Sequence, residues 1–290
     1  MNHDTPTVGI AISFIRTELK EHYPAGEIQA FTELIFENLL NFNKTDILLN
    51  RNTKLSNSLF FQIKEIINQL LHHKPIQYIL GQAWFYGLTL RVTPDVLIPR
   101  QETEELVKWI IDETSSIPVN VLDIGTGSGC IAIALALNLP LSMVTATDIS
   151  EKAVELASFN ARKAGADIRF ITEDIFNPVI AESEKFDIIV SNPPYITESE
   201  KPLVGKNVLQ FEPVEALFVP DMQALKYYGA IASLARESLN PGGKIYFEIN
   251  ENQADQVEEL LIRLMFSNIE IRKDINGKPR MVRAVLDSRR

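Results

Sequence analysis

A chain of 290 residues is long enough for one large domain plus a small one, and 46% hydrophobic against 23% charged residues is the balance of an ordinary globular protein. The 28 basic and 38 acidic residues leave a net charge of −10, which disfavours broad electrostatic binding to nucleic acid. Cys130 is the one cysteine, so an intramolecular disulfide is excluded and a reducing compartment fits. With no basic-then-apolar leader and no apolar run of membrane-spanning length, a cytoplasmic monomer without membrane association is expected.

Residues 8–74 read as helices. Ile10, Phe14, Ile15 and Leu19 recur at helical spacing, then Ile28, Phe31, Leu34, Ile35, Leu39 and Leu40, then Phe60, Ile63, Ile66, Ile67, Leu70 and Leu71. Breaks fall at residues 23–26, 41–45 and 50–57, and Thr45 or Asp46 is expected to cap a short helix. Short connections between amphipathic segments imply a small bundle. His72 and His73 are adjacent and point to different helix faces, so they suit a surface helix end better than a metal site.

After Pro75 the pattern changes. Residues 78–81 lead into aromatic and β-branched residues on both sides of Gly87, which predict two short strands in a hairpin. Gln101 or Thr103 then starts a helix with Leu106, Val107, Ile110 and Ile111 on its apolar face, and the run of acids at 102–105 reads as a solvated face.

Residues 119–124 predict a strand, followed by Gly125, Thr126, Gly127, Ser128 and Gly129 and then an alanine-rich helix. Strand, glycine turn and helix open a doubly wound, nucleotide-binding α/β domain, where glycines let the backbone approach a ligand closely. The spacing Gly-x-Gly-x-Gly departs from the dinucleotide fingerprint, which weakens a nicotinamide oxidoreductase. Cys130 reads as a packed small hydrophobe. A second strand ends at Asp148, about twenty residues past the loop, where such folds hold a ribose by its hydroxyls. Asp148 is also placed to cap the next helix beside Ser150, and Gly165 stops that helix. A third strand ends before Asp174 and Ile175, positioned to accept from an adenine amino group and to pack on its ring.

Residues 186–190 predict a fourth buried strand that runs into Asn192, Pro193, Pro194 and Tyr195. The prolines have carbonyls but no N–H, Asn192 adds a side-chain acceptor, and Tyr195 adds a flat face. Such a site suits a planar –NH2 group whose hydrogens are held while its nitrogen points elsewhere. Methylation of an amide or base nitrogen needs this, because the nitrogen lone pair is delocalised and charge develops on attack. Residues 197–221 lack periodicity and read as a substrate-binding flap. A helix over 223–239, a turn at 240–243, a strand over 244–249, a helix over 252–265 and a strand over 269–275 follow, and Asn276-Gly277 closes an antiparallel hairpin.

Separated stretches agree on one family. Trp84 to Gly87, Leu97-Ile98-Pro99-Arg100 with Glu102-Thr103-Glu104, Gly125 to Gly129, Asn192 to Tyr195, Glu215-Ala216-Leu217 and Asp274 to Gly277 resemble the bacterial release-factor glutamine methyltransferases over nearly the whole chain. The resemblance implies an α/β fold: a Rossmann-like class I methyltransferase domain over 99–290, with a mostly parallel seven-stranded sheet and a C-terminal antiparallel hairpin. A helical substrate-recognition domain over 1–75 and a hairpin linker over 76–98 precede it. It implies S-adenosylmethionine as cofactor, held by Gly125 to Gly129, Asp148 and Asn192, with no metal. Peptide-chain release factors become the partners, methylated on the glutamine of their Gly-Gly-Gln loop, with Asn192, Pro193, Pro194 and Tyr195 lining the slot. Catalysis would rest on Asn192, the Pro193 carbonyl and Tyr195. Gln101 stands where the family usually has proline, loosening the start of the following helix. Asn250 stands where the family usually has glycine and is expected to lie away from the Asn192 motif. Methylation of adenine or cytosine in nucleic acid is the alternative, since those enzymes share Asn-Pro-Pro-Tyr; a non-catalytic binding protein of the same fold is weaker.

Overall fold

The apolar stripes near the N-terminus become α1 (Val8–Leu19), α2 (Ala25–Leu40), α3 (Lys44–Leu49) and α4 (Asn57–Leu71) in a computed structural model that describes residues 5–114, 117–180 and 184–287. Ile15, Leu19, Ile35, Phe36, Ile63 and Ile67 share one core, whereas Ile10 and Leu34 lie exposed at the margins of their stripes. The cap of α3 is Asn43, not Thr45 or Asp46. Its Oδ1 accepts from the Thr45 and Asp46 N–H groups, and Asp46 returns the bond to Asn43 N. Residues read as leading into a strand instead form α5 (Ile76–Leu80), ended by Gly81 at φ +70°. The chain divides into two compact units, one of Met1–Gly81 with Lys206–Phe211 and one of Gln82–Gly205 with Glu212–Arg290.

In the second unit β1 (Gln82–Phe85) and β2 (Leu88–Arg91) form the expected hairpin. Tyr86 and Gly87 both have positive φ, +47° and +80°, the geometry of a two-residue turn that matches strand twist. Helix α6 (Gln101–Glu113) starts at Gln101 after an Arg100 N-cap that makes no side-chain cap bond. Then come β3 (Val119–Ile124), α7 (Cys130–Asn138), β4 (Ser142–Asp148), α8 (Glu151–Ala164), β5 (Ile168–Thr172) and β6 (Phe186–Ser191). Residues 197–221, read as a flap without periodicity, carry short regular elements. Strand β7 (Ile196–Thr197) pairs with β8 (Phe218–Val219), and between them lie 3-10 turns and α9 (Lys206–Phe211). Helix α10 (Lys226–Ser238) starts after a separate 3-10 turn at Asp221–Gln223, so it is shorter than its periodicity suggests. Strand β9 (Leu239–Glu248) absorbs the predicted 240–243 turn as an irregularity in its pairing with β6. Last come α11 (Ala254–Arg263), β10 (Phe266–Lys273) and β11 (Pro279–Leu286).

The seven-stranded sheet has the order β10-β11-β9-β6-β3-β4-β5, parallel except for β11 against β9 and β10. Central parallel strands are buried on both faces. Val121, Val190 and Tyr246 point into a core with Leu106 and Ile110 of α6, while Leu122, Ile189 and Phe247 point into one with Tyr228 of α10 and Leu261 of α11. This is the class I methyltransferase fold.

Candidate active site

From β3 the chain builds outward through β4 and β5, then returns to the other side of β3 as β6. Open α/β sheets bind ligands at the carboxyl ends of the strands flanking such a reversal. The glycine loop leaves β3 there and the Asn192 motif leaves β6 there. Ile124 and Ser191 are in register, and Ser191 Oγ donates to the Ile124 carbonyl at 2.7 Å.

The glycine loop is held by the end of β4. The N–H groups of Gly125 and Thr126 both donate to the Thr147 carbonyl at 2.9 Å, and Gly127 N–H donates to Asp148 Oδ2 at 2.9 Å. Asp148 Oδ1 accepts from Ser150 N–H at 2.9 Å, so this acid shapes the loop and also holds Ser150, the expected N-cap of α8, whose Oγ accepts from Ala153 N–H at 3.3 Å. Burial raises the Asp148 carboxyl, and the N–H bonds from Ser150, Gly127 and Ile149 work against that rise. Gly125, Gly127 and Gly129 all have positive φ, but they serve different ends. A Cβ on Gly125 or Gly127 would project into open space, whereas one on Gly129 would meet Ala157 Cβ and Ile133 Cδ1 at 3.1 Å. Gly129 therefore permits close packing of α7 and α8, and the first two glycines leave room above bare backbone. That open cradle beside a carboxylate fits S-adenosylmethionine, a ligand with ribose hydroxyls to donate.

Farther along the edge, Glu173 N–H donates to the Asp148 carbonyl, bringing Asp174 and Ile175 next to Asp148. Asp174 Oδ1 accepts from Phe176 N–H at 2.9 Å and Oδ2 from Asn177 Nδ2 at 3.1 Å, so the side chain shapes its own turn. Ile149 is 68% exposed beside Asp148, an apolar surface that sequence inspection did not single out.

On the β6 side, Asn192 Nδ2 donates to Thr103 Oγ1 at 3.3 Å. Thr103 Oγ1 donates to Glu248 Oε2 at 2.5 Å, and the Tyr195 hydroxyl donates to Glu248 Oε1 at 2.9 Å. Pro193 is buried while Asn192, Pro194 and Tyr195 are half-buried. Thr103 is thus neither cap nor surface residue; it faces inward from the first turn of α6. Burial pushes Glu248 above the ordinary carboxylate value, opposed by the bonds from Thr103 and Tyr195 and by the Arg280 charge. Tyr195 is pushed well up as well, by burial and then by the neighbouring Glu248.

Asn250 does not lie apart from the motif. Its Nδ2 donates to the Tyr195 carbonyl at 3.3 Å and to Glu200 Oε2 at 2.9 Å, tying the strand after the motif to the end of β9. The start of α6, expected to be loose at Gln101, is held from elsewhere. Buried Glu212 accepts from Ile98 N–H at 3.2 Å and from Arg100 Nη2 at 2.6 Å. The acids at 102–105 are more than a solvated face. Glu104 accepts from Tyr86 N–H at the hairpin turn, and Glu105 accepts from Ile275 N–H.

Glu248 and Asp123 are the site carboxylates that pattern reading missed. Asp123 is fully buried, accepts from Thr126 Oγ1 at 2.6 Å, and is pushed up to about 7 chiefly by burial. One signal was available for both: each acid follows directly on an apolar run near the carboxyl end of a strand, where an unpaired charge is costly. Cys130, expected as an inert packed residue, has its thiol pushed up to about 12, first by desolvation and then by Asp123.

A family model described as the methyltransferase small domain matches residues 103–211, and one described as the PrmC N-terminal domain matches residues 11–81. Among solved structures, a methyltransferase from Pyrococcus furiosus is 21% identical with a TM-score of 0.52, covering 76% of this chain and 98% of that one. A Thermus thermophilus 16S rRNA methyltransferase bound to AdoMet and guanosine is 19% identical with a TM-score of 0.53, covering 71% and 49%. At these identities they share the fold. Curated relatives are much nearer. A release factor glutamine methyltransferase from Bacteroides thetaiotaomicron is 43% identical over 94% of this chain and 98% of its own length. One from Flavobacterium psychrophilum is 45% identical over 89% and 91%. With that likeness running through both units and the switch-point site, the chain belongs to the release factor glutamine methyltransferase family.

Proposed function

We propose that this protein methylates the side-chain amide nitrogen of a glutamine in peptide-chain release factors, the one in their Gly-Gly-Gln loop, using S-adenosylmethionine. The observation that carries the reading is the placement of the glycine cradle and Asn192 on adjacent strand ends, at the reversal of the sheet.

When bound, S-adenosylmethionine supplies an electrophilic methyl, whose bond to sulfur breaks as the bond to the amide nitrogen forms. Gly125 to Gly129 and Asp148 would hold it, with Asp174 and Ile175 toward its adenine. Asn192 Oδ1 and the Pro193 carbonyl have no partner among the described residues, so both are open to accept from the amide hydrogens. Two acceptors orient the amide plane and favour the positive charge that develops on nitrogen. The proton displaced from that nitrogen passes to solvent, leaving a neutral methylated amide. The family relatives favour a glutamine substrate over a nucleic-acid base, and the net charge of −10 agrees. The helical first unit is read as the domain that recognises the release factor, in the cytoplasm.

Mass spectrometry of a release factor incubated with the protein and S-adenosylmethionine tests this. One added methyl on the Gly-Gly-Gln glutamine is expected; methyl transfer to DNA or RNA instead would overturn it.

A further inference from the structure

Glu248 ends β9 fully buried, and each of its oxygens receives a hydroxyl, Thr103 on Oε2 and Tyr195 on Oε1. With a hydroxyl hydrogen directed at each oxygen, and the Arg280 charge favouring the carboxylate, Glu248 acts as the acceptor of both bonds and needs no hydrogen of its own. The Thr103 hydroxyl has a single hydrogen, and it is directed at Glu248. Toward Asn192 it can therefore offer only lone pairs. An asparagine side chain presents either N–H or oxygen in a given direction, and oxygen here would lose a bond and face a lone pair. The NH2 of Asn192 must turn to Thr103, where it sits at 3.3 Å, and the amide oxygen is then aimed away.

We propose that Thr103 and Glu248 are positioning residues that hold the Asn192 amide oxygen toward the nitrogen to be methylated. The inference rests on the methyl-transfer reading above. Without the pin, both amide orientations become accessible, and one of them offers N–H groups to a substrate –NH2 that has none to accept. Titratable and charged groups on several described elements bear on Glu248. Arg280 of β11 favours its carboxylate, and Tyr195 donates to it. Glu102 of α6 opposes that charge, while Cys130 of α7 and Tyr228 of α10 stay neutral nearby. As pH falls, protonation on Oε2 would free the Thr103 hydrogen and release Asn192, so turnover should fade on the acid side.

The test compares kcat and KM for release-factor methylation in wild type, Thr103→Val, Thr103→Ser and Glu248→Gln. Calorimetric affinity for S-adenosylmethionine and a melting curve are measured for each. In Thr103→Val, kcat should drop about tenfold or more while cofactor affinity stays within about twofold. Thr103→Ser, which restores the hydroxyl, should recover most of the rate. Glu248→Gln should lose both rate and the acid limb of the wild-type profile. A folded Thr103→Val with wild-type kcat, or a Thr103→Ser as slow as Thr103→Val, overturns the positioning role. Wild type that leaves the release factor unmethylated instead overturns the functional reading beneath it.

Discussion

Asp148 Oδ2 accepts the Gly127 N–H at 2.9 Å, so the carboxylate that closes β4 also sets the crest of the loop that closes β3. Its other oxygen serves Ser150 at the start of α8. In Asp148→Asn one of these two acceptors becomes an N–H group facing another N–H. Hydrogen bonds to charged groups contribute about 1.5–3 kcal/mol, so S-adenosylmethionine should bind roughly ten- to a hundredfold more weakly. Calorimetric titration checks this; unchanged affinity would separate Asp148 from the cofactor site.

The glycines of one loop should fail in different ways. Gly127→Ala and Gly129→Ala both place a Cβ on left-handed backbone, a strain of roughly 1–2 kcal/mol. At Gly129 the Cβ also meets Ala157 and Ile133 at 3.1 Å, so that variant should melt several degrees lower. At Gly127 the Cβ has no protein neighbour within 4 Å, so the added loss should appear in cofactor affinity. Paired melting curves and titrations distinguish the two.

Among the described residues, the Asn192 side chain makes one hydrogen bond, to Thr103. Asn192→Ala is expected to keep its melting temperature within a few degrees while turnover falls by about 10²-fold or more, the usual loss on removing a preorganised polar group. Near-normal turnover in single-cycle assays would count against Asn192 as the acceptor.

Far from the site, Glu113 accepts from Trp109, Lys244, Tyr246 and Arg283, binding α6 to β9 and β11. Burial alone would raise its carboxyl, but these donors prevail and bring it down to about 2. Because the folded value is depressed, its stabilisation is present above the ordinary 4.5 and is lost as pH falls toward about 2. Glu113→Gln should lower the melting temperature at pH 7 and narrow its gap to wild type as pH drops through that window. A gap independent of pH would show that packing, not charge, is what Glu113 contributes.

Local chemistry was readable along the chain because it depends on neighbours in sequence. The 3.6-residue stripes of α1, α2 and α4 became helices, and the apolar runs into the glycines and into the two prolines became β3 and β6, as expected. One error was local as well: Asn43 outcompeted Thr45 as a cap because its side chain reaches two N–H groups at once. Distant partnerships were not readable. Thr103 and Glu248 are separated by 145 residues, Ile98 and Glu212 by 114, and Tyr195 and Asn250 by 55. Tyr195 and Asn250 meet because β6 and β9 are neighbours in the sheet, and Thr103 reaches Glu248 from the first turn of α6. Once there, a polar group sealed from water must find whatever partner the fold provides. Periodicity and motif spacing carry the apolar faces and the strand-to-loop motifs; only the packed sheet assigns the buried polar groups to one another.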